Sequence, residues 1–349
     1  MSKPMVTVVI PEEKAGDADA LIDDIHGHQD YDGAIETIAR VGEGGPSRGR
    51  NEGLAGAHGD YVIFCDADDH PKPNYISSLT EAVQSAPDVV MAGCGYDVCE
   101  EPGDKGQGSQ NDIMKSVIKT CDDEKVQMST EDMLFRLFDT KVYQGYIWNK
   151  IFKNDAIKKA GLRFSEDVRY NEDRLFIFNY LLMNPGQVVY TNDVGYRYVI
   201  RDGSAMGELR RDSRVTDIMT TEFLAFDMMI AQLEALLLDG LSPGIGAGGK
   251  NASPMGLSTS TIGRLINEIR QDEIQSELRL FKKMVGRSDI FAYRKSAMRR
   301  YAKACPDKLY IPHGPMEDVL LRILKRYGWS GCTYTSHPEY FEGVGILGD

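Results

Sequence analysis

The chain has 349 residues, 42% hydrophobic and 27% charged, the balance of a folded protein with a sizeable core and not of a fibrous or disordered one. A formal net charge of −13 works against nonspecific nucleic-acid binding, which draws its affinity from basic surface. No run approaches the ~20 apolar residues of a membrane span, and Met1-Ser2-Lys3-Pro4 has no signal-peptide core, so a cytoplasmic location is expected.

In chain order, Val6 to Ile10 (VTVVI) is a β-branched run ending at Pro11, the pattern of a buried strand. Asp17 to His28 has helical spacing, and Ala34 to Val41 is ambiguous, with a strand as one reading. Ser47 suits the cap of a helix running to about Ala57. Tyr61 to Cys65 (YVIFC) predicts a second buried strand that opens into Asp66-Ala67-Asp68-Asp69. Pro73 fits the first turn of a helix reaching about Gln84, and Asp88 to Gly93 predicts a third strand. Glu100 to Asn111 is polar and Gly-rich, the composition of a mobile loop. Helices are expected over 130–138, 154–160 and 171–183, and short strands near 187–190 and 194–199. Past Arg214 the pattern is mainly helical, broken by a Gly/Ser/Pro-rich loop at about 240–261. Strands alternating with helices imply an α/β fold with a mostly parallel sheet and ligands beyond the carboxyl ends of its strands. The chain accordingly divides into two regions, 1–210 and a helical C-terminal region over 211–349.

Cys65, Cys94, Cys99, Cys121, Cys305 and Cys332 form no C-x-x-C pair and no zinc spacing with histidine, so packed, reduced thiols are expected. From Leu278 to Asp349 there are 13 Lys and Arg against 7 Asp and Glu, a net of +6 that leaves −19 for the rest of the chain. The basic helical pattern from Leu278 to Lys303 suits either an ordinary solvated face or a peripheral contact with an anionic membrane.

Carboxylates at the mouth of a buried strand, as in Asp66-Ala67-Asp68-Asp69, suit a hard cation such as Mg²⁺ or Mn²⁺, although an isolated D-x-D more often only forms a turn. The Gly44-Gly45 turn before Pro46-Ser47-Arg48-Gly49-Arg50 allows close backbone approach to a ligand, and Arg48 and Arg50 are candidates to meet a diphosphate. It lacks the Gly-Lys-Ser/Thr of a nucleotide P-loop. Glu172 and Asp173 stand in the first turn of a helix, where acidic residues commonly just complement the dipole. Trp148-Asn149-Lys150 by itself is compatible with an ordinary packed aromatic.

Taken together and in order, these segments resemble the inverting glycosyltransferases of family 2. GGPSRGRNEGL (44–54) is similar to that family's GG-x-S-x-A-R-N-x-G-L segment, and GDYVIFCDADD (59–69) to its strand and metal site. WNKIFK (148–153), LRFSEDVRYNEDRLF (162–176) and YRYVIRDGSA (196–205) come next in the family's order. The resemblance implies a GT-A (Rossmann-like) fold with helices on both faces of the sheet, and a metal-dependent transfer from a nucleotide-sugar donor, a UDP-sugar first among them, to a glycan or lipid-linked acceptor. It implies a metal-binding site at Asp68 and Asp66 for Mn²⁺ or Mg²⁺, with Asp66 also near the donor ribose. It puts Arg50 beside the nucleotide, Trp148 and Glu172 in the acceptor region, and Asp173 as general base. One departure stands out: the family's further strand ends in an Asp-Asp-Gly-Ser type motif whose acid reads the nucleotide base, and no such motif is present between Glu12 and Glu43, where Glu36 or Asp32 are the candidate substitutes. A processive synthase's Q-x-x-R-W is absent too, which favours single-sugar transfer in cell-surface polysaccharide biosynthesis. The rival reading is an inactive GT-A-like scaffold for an active transferase.

Overall fold

The computed structural model describes residues 3–100, 117–139, 142–200, 217–241, 256–284, 309–310 and 333–334. It opens with β1 (Val6–Glu12), buried along its whole length, so the strand runs through Pro11 and two residues past the expected Ile10. Helix α1 (Asp19–His28) leads to β2 (Ile35–Val41), which resolves the ambiguous segment as a strand parallel to β1. Helix α2 (Pro46–Gly56) is next, then β3 (Tyr61–Phe64), the two-residue β4 (His70–Pro71), α3 (Tyr75–Val83) and β5 (Val89–Glu100). After them come β6 (Val117–Lys119), β7 (Lys125–Ser129), α4 (Thr130–Arg136), β8 (Lys150–Lys153), α5 (Asn154–Ala160), α6 (Glu172–Met183) and β9 (Gln187–Ile200). Two long helices, α7 (Asp217–Leu241) and α8 (Thr259–Met284), and a short parallel pair, β10 (Leu309–Tyr310) with β11 (Thr333–Tyr334), complete the described elements.

The main sheet has the order β2-β1-β3-β8-β5-β9-β4, with β6 beside β5 and β7 beside β9. Strands β1, β2, β3, β5 and β9 run one way, while the short β4, β6, β7 and β8 oppose them. The α/β architecture with a mostly parallel sheet is therefore present, with β8 inserted antiparallel at its centre. Strand period two then sorts the faces. Phe64 turns to α6, where it meets Phe176 edge-on at 6.0 Å, and Cys65, the next residue, turns to Tyr75 of α3. Cys65, Cys94, Cys99 and Cys121 are buried free thiols.

Three local expectations need correction. Helix α2 starts at Pro46 with Gly45 as its N-cap, and Ser47 is no cap: its Oγ is buried without a hydrogen-bond partner. Gly44 and Gly45 adopt φ of +90° and +141°, conformations that suit glycine, and Pro46 with its fixed φ begins the helix at once. Pro73 lies ahead of α3 because Tyr75 N–H first closes a turn onto Lys72 O. The two short strands expected near 187–190 and 194–199 are one 14-residue strand, the polar Thr191–Asp193 being absorbed by register shifts against β5 near Gly93 and Gly95. A Cβ at Gly93 would stand 2.3 Å from the Tyr190 ring, so that glycine makes room for the first of the strand's three tyrosines.

The chain divides into two compact units. Among the described residues one holds everything to 200 together with 217–265, and the other holds 266–284 and the β10–β11 pair. Helix α7 thus lies in the same unit as the sheet and packs on α6. Its buried Phe223, Phe226, Ile230 and Leu233 recur at three- and four-residue intervals, the stripe of an amphipathic helix. The loop expected after Glu100, most of the 240–261 segment, and the basic stretch beyond Met284 lie outside the described residues. Among the described residues no helix is long and apolar enough to cross a membrane.

Helix α2 lies so close on β1 that a Cβ at Gly53 would come within 2.4 Å of Val9 Cγ1. Because valine is stiff at χ1, the backbones must separate to admit it. Gly53→Ala is expected to destabilise the fold by about 1–3 kcal/mol, read as a lower urea midpoint at unchanged slope; an unchanged midpoint would refute this packing constraint.

Candidate active site

At the carboxyl end of β3 the chain turns through Asp66-Ala67-Asp68-Asp69, and Arg50 of α2 and the first turn of α6 come to the same place. The organising group is Arg50. Its side chain is 3% exposed, its Nη1 donates to Glu172 Oε1 at 3.0 Å and to Asp173 Oδ1 at 2.7 Å, and its Nη2 donates to Asp66 Oδ1 at 3.0 Å. One planar guanidinium therefore ties together three carboxylates from two distant segments, the bidentate, forked geometry that lysine cannot supply. Phe164 lies under the guanidinium at 5.4 Å and stacks on Phe176 at 4.2 Å, which closes this face to water. Asn51, the next residue of α2, fixes Phe164 by accepting its N–H at 2.8 Å and donating to its carbonyl at 3.0 Å.

Three carboxylates around one cation leave excess negative charge. The consequence falls on Asp173: burial pushes its carboxyl up to about 8, Arg50 opposing and Glu172 and Asp66 adding to the rise. Arg50 itself is driven further up by the same carboxylates against its own desolvation. Asp173 Oδ2 accepts the backbone N–H of Ile147 at 3.2 Å, so both of its oxygens are directed.

The loop carrying Ile147 is held from below. Lys150, fully buried at the start of β8, donates to Gln144 O at 2.7 Å, Tyr146 O at 2.6 Å and Asn149 Oδ1 at 2.8 Å. Burial pulls this amine down to about 7, against the pull of Asp173, while the three acceptors take all three hydrogens of the ammonium form. Replacing it with methionine takes a charged donor from two loop carbonyls and from the buried Asn149 Oδ1. Lys150→Met is expected to cost about 2–3 kcal/mol in denaturant unfolding, and a variant of wild-type stability would show that the lysine does not hold the loop.

Trp148 is 3% exposed and sits in an aromatic pile: Tyr146 stacks on it at 5.1 Å, Tyr196 at 4.8 Å and Tyr198 at 5.3 Å, while Tyr96 meets it edge-on at 4.7 Å. Tyr146 and Tyr198 at its margins are only half-buried. The Tyr196 hydroxyl donates to Asp69 Oδ2 at 2.9 Å and accepts the Asp66 N–H at 3.2 Å. Asp69 also accepts the Val199 N–H at 2.9 Å, and burial beside Asp66 and Asp68 raises its carboxyl well above the usual range.

Of the residues singled out in the sequence, Asp66, Glu172, Asp173 and Arg50 meet directly. Asp68 is half-buried in the same turn, and Trp148 is packed beneath it all as the centre of the aromatic pile. Arg50, expected to reach a diphosphate or the nucleotide, is instead enclosed among the carboxylates. The expected substitutes for the base-reading acid lie elsewhere. Glu36 pairs with Thr7 and His58 where β1 and β2 begin, five strand residues or about 17 Å from their carboxyl ends, and exposed Asp32 pairs with Lys3. Strand β2 forms the sheet edge and runs straight into the Gly44-Gly45 turn. Sequence reasoning gave no role to Ile147, Lys150 or Tyr196, and it named Asp69 only within the acidic turn. For Tyr196 the signal was its place at the head of YRYVIRDGSA (196–205).

Among the described residues no three His, Cys, Asp or Glu converge as a closed metal-ligand set. Mg²⁺ or Mn²⁺ sharing coordination with substrate phosphates needs only one or two protein carboxylates, and the hard oxygens of Asp66 and Asp68 fit that demand.

The family model described as Glycosyl transferase family 2 matches residues 16–159. Among curated proteins, the uncharacterized glycosyltransferase EpsJ of Bacillus subtilis is 30% identical over 152 residues, 42% of this chain and 41% of that protein. The succinoglycan biosynthesis protein ExoO of Rhizobium meliloti is 26% identical over 229 residues, 60% of this chain and 56% of that protein. The poly(ribitol-phosphate) beta-N-acetylglucosaminyltransferase TarS of Staphylococcus aureus is 22% identical over 204 residues, 57% of this chain and 32% of that protein. The matches thus span between about a third and a little over half of these relatives' length. The crystal structure of S. aureus TarS 1-349 shares the fold at a TM-score of 0.56 and 14% identity, over 92% of this chain and 83% of that one. With its strand order and its acidic turn after β3 the chain has a GT-A-like fold, and its residues 16–159 are similar to glycosyl transferase family 2.

Proposed function

We propose that the chain transfers a single sugar, with inversion, from a nucleotide-sugar donor to a hydroxyl of a glycan or lipid-linked acceptor, and that Asp173 is the general base. The observation that carries this is the Arg50 hub, which sets Asp66, at the mouth of β3, and Asp173, at the start of α6, on opposite arms of one guanidinium. In the transfer, the acceptor oxygen bonds to the anomeric carbon as the bond to the donor diphosphate breaks, and the acceptor's proton passes to Asp173. Arg50 and the Ile147 N–H direct the two oxygens of that base. Asp66 and Asp68 would hold Mg²⁺ or Mn²⁺, whose contribution when bound is to stabilise the charge of the departing diphosphate. Glu172 and Trp148, whose pile includes the half-buried Tyr146 and Tyr198, would form the acceptor region. A UDP-sugar is the first donor to try. The catalytic region extends from residue 1 to about 210, and α7 packs on it.

Calorimetry with UDP-, GDP- and dTDP-sugars, with and without Mn²⁺, tests this reading beside Asp68→Ala. Binding that needs the metal and is lost in the variant is expected. A folded chain that binds no donor would overturn the reading and leave an inactive GT-A-like scaffold, a role for which the absent base-reading motif is the one supporting observation.

A further inference from the structure

Helix α6 begins in an unusual way. Among the described residues Asn171 is the one non-glycine with positive φ, at φ 68° and ψ 18°. A residue at this position normally has extended backbone and caps the helix with its side chain. Asn171 does neither. Its side chain makes no cap hydrogen bond and instead donates, through Nδ2, to Glu222 Oε1 of α7 at 2.7 Å. Glu222 is 3% exposed, a buried carboxylate whose direction is fixed by its surroundings. The preceding residue of α7, Thr221, makes a second tie: its Oγ1 accepts the Arg169 N–H at 3.0 Å. Two consecutive residues of α7 thus hold alternate residues of the strap that enters α6.

The left-handed turn sets the course of the helix it opens. The Asn171 carbonyl accepts the Leu175 N–H at 3.1 Å, the first bond of the helix, and the next two residues are Glu172 and Asp173, both on Arg50. Asparagine tolerates this backbone region better than other side-chain-bearing residues, but it does not choose it unaided. Strained backbone of this kind persists where the surroundings over-determine it.

We infer that Glu222 is a positioning residue for the transfer reaction: by holding Asn171 in its left-handed conformation it sets the direction in which Asp173 leaves the first turn of α6. The inference rests on Asp173 being the base. It makes α7, which lies beyond the family match at 16–159, part of the catalytic apparatus.

The test uses the full chain, UDP-N-acetylglucosamine with Mn²⁺ as probe, release of UDP as turnover and calorimetry for donor affinity, and compares Glu222→Leu, Glu222→Gln and Asp173→Asn. The amide oxygen of glutamine can accept the same bond, so Glu222→Gln should keep wild-type turnover within about twofold. Glu222→Leu should lose about 10- to 100-fold in kcat with donor affinity unchanged, the size expected for a small misplacement of a reacting group. Amide exchange at Ile147 and Leu175 should accelerate in Glu222→Leu and not in Glu222→Gln. If Glu222→Leu fails to fold, Asn171→Gly, which keeps the backbone conformation and loses the tie, carries the same expectation. Wild-type turnover in Glu222→Leu, or equal losses in Leu and Gln variants, overturns the inference while leaving Asp173 as base. Turnover that survives Asp173→Asn overturns the base assignment instead. If UDP-N-acetylglucosamine is not turned over, exchange decides alone: unchanged protection in Glu222→Leu refutes the positioning.

Discussion

Arg50→Met should unfold about 3–5 kcal/mol more easily than the wild-type chain, because it leaves Asp66 at the mouth of β3 and Glu172 and Asp173 at the head of α6 with no cation among them. The loss should depend on pH in a defined direction. Arg50 holds the Asp173 carboxyl down against its burial, so in the variant that carboxyl rises further, stabilises most when protonated, and loses its contribution as pH rises through its folded value. Urea midpoints of variant and parent should therefore differ least in acid and separate further as pH rises past about 8. Arg50→Lys should recover only part of the loss, since a single ammonium cannot span the three acceptors that the guanidinium fork reaches. A flat pH dependence, or full recovery with lysine, would show that the hub is not held by charge.

Asp173→Asn should lower turnover by about 10²- to 10⁴-fold while donor affinity is retained, the magnitude of a positioned general base. The raised carboxyl gives this prediction a second readout. A base must be ionised, so kcat/KM in the parent chain should climb with pH through about 8. Stability runs the other way. The folded value lies above the unfolded one of about 4, so the contribution of Asp173 is fully present below pH 4 and is lost as pH rises through about 8. The site is thus most active where this group supports the fold least. Asparagine, which does not titrate, should remove that slope, so the melting temperatures of parent and variant should approach each other between pH 6 and pH 9. A turnover profile already flat from pH 6 would place the acid limb on some other group.

Much of this was legible in the residues. The β-branched run of β1, the YVIFC segment before Asp66 and the acidic start of α6 each announce a local structure, and the order of the motifs brings Arg50, Asp66 and Asp173 to one place. What residue type does not decide is direction. A guanidinium binds phosphate and carboxylate by the same fork, so the chemistry of Arg50 is compatible with a donor-facing residue as well as with the enclosed hub found here. The same holds for Glu36, an acid in the right interval of the chain that β2 carries to the wrong end of the sheet. Lys150 and Glu222 reveal themselves only through tertiary contacts. A lysine after Trp-Asn reads as a polar neighbour until the loop folds over it, and no spacing rule links residue 171 to residue 222. The unity of β9 was hidden for a simpler reason: a polar interruption reads as a turn, whereas a register shift against β5 absorbs it.

The place of β8 limits the order in which this chain can assemble. It is made after β5, yet it lies between β3 and β5 and bonds to both. The sheet therefore cannot zip from its amino end. A chain emerging from the ribosome can form β1, β2 and β3 as one patch and begin β5, but the two halves join only when residues 150–153 arrive, and Arg50 meets its partners on α6 only later still, once residues 172 and 173 are made. Pairings of such sequence separation carry a large loop-closure cost, the signature of slow, cooperative folding. Until then β3 and β5 expose bonding edges that only β8 can cover, so truncation anywhere before residue 150 leaves a sheet with open seams and a strong tendency to aggregate.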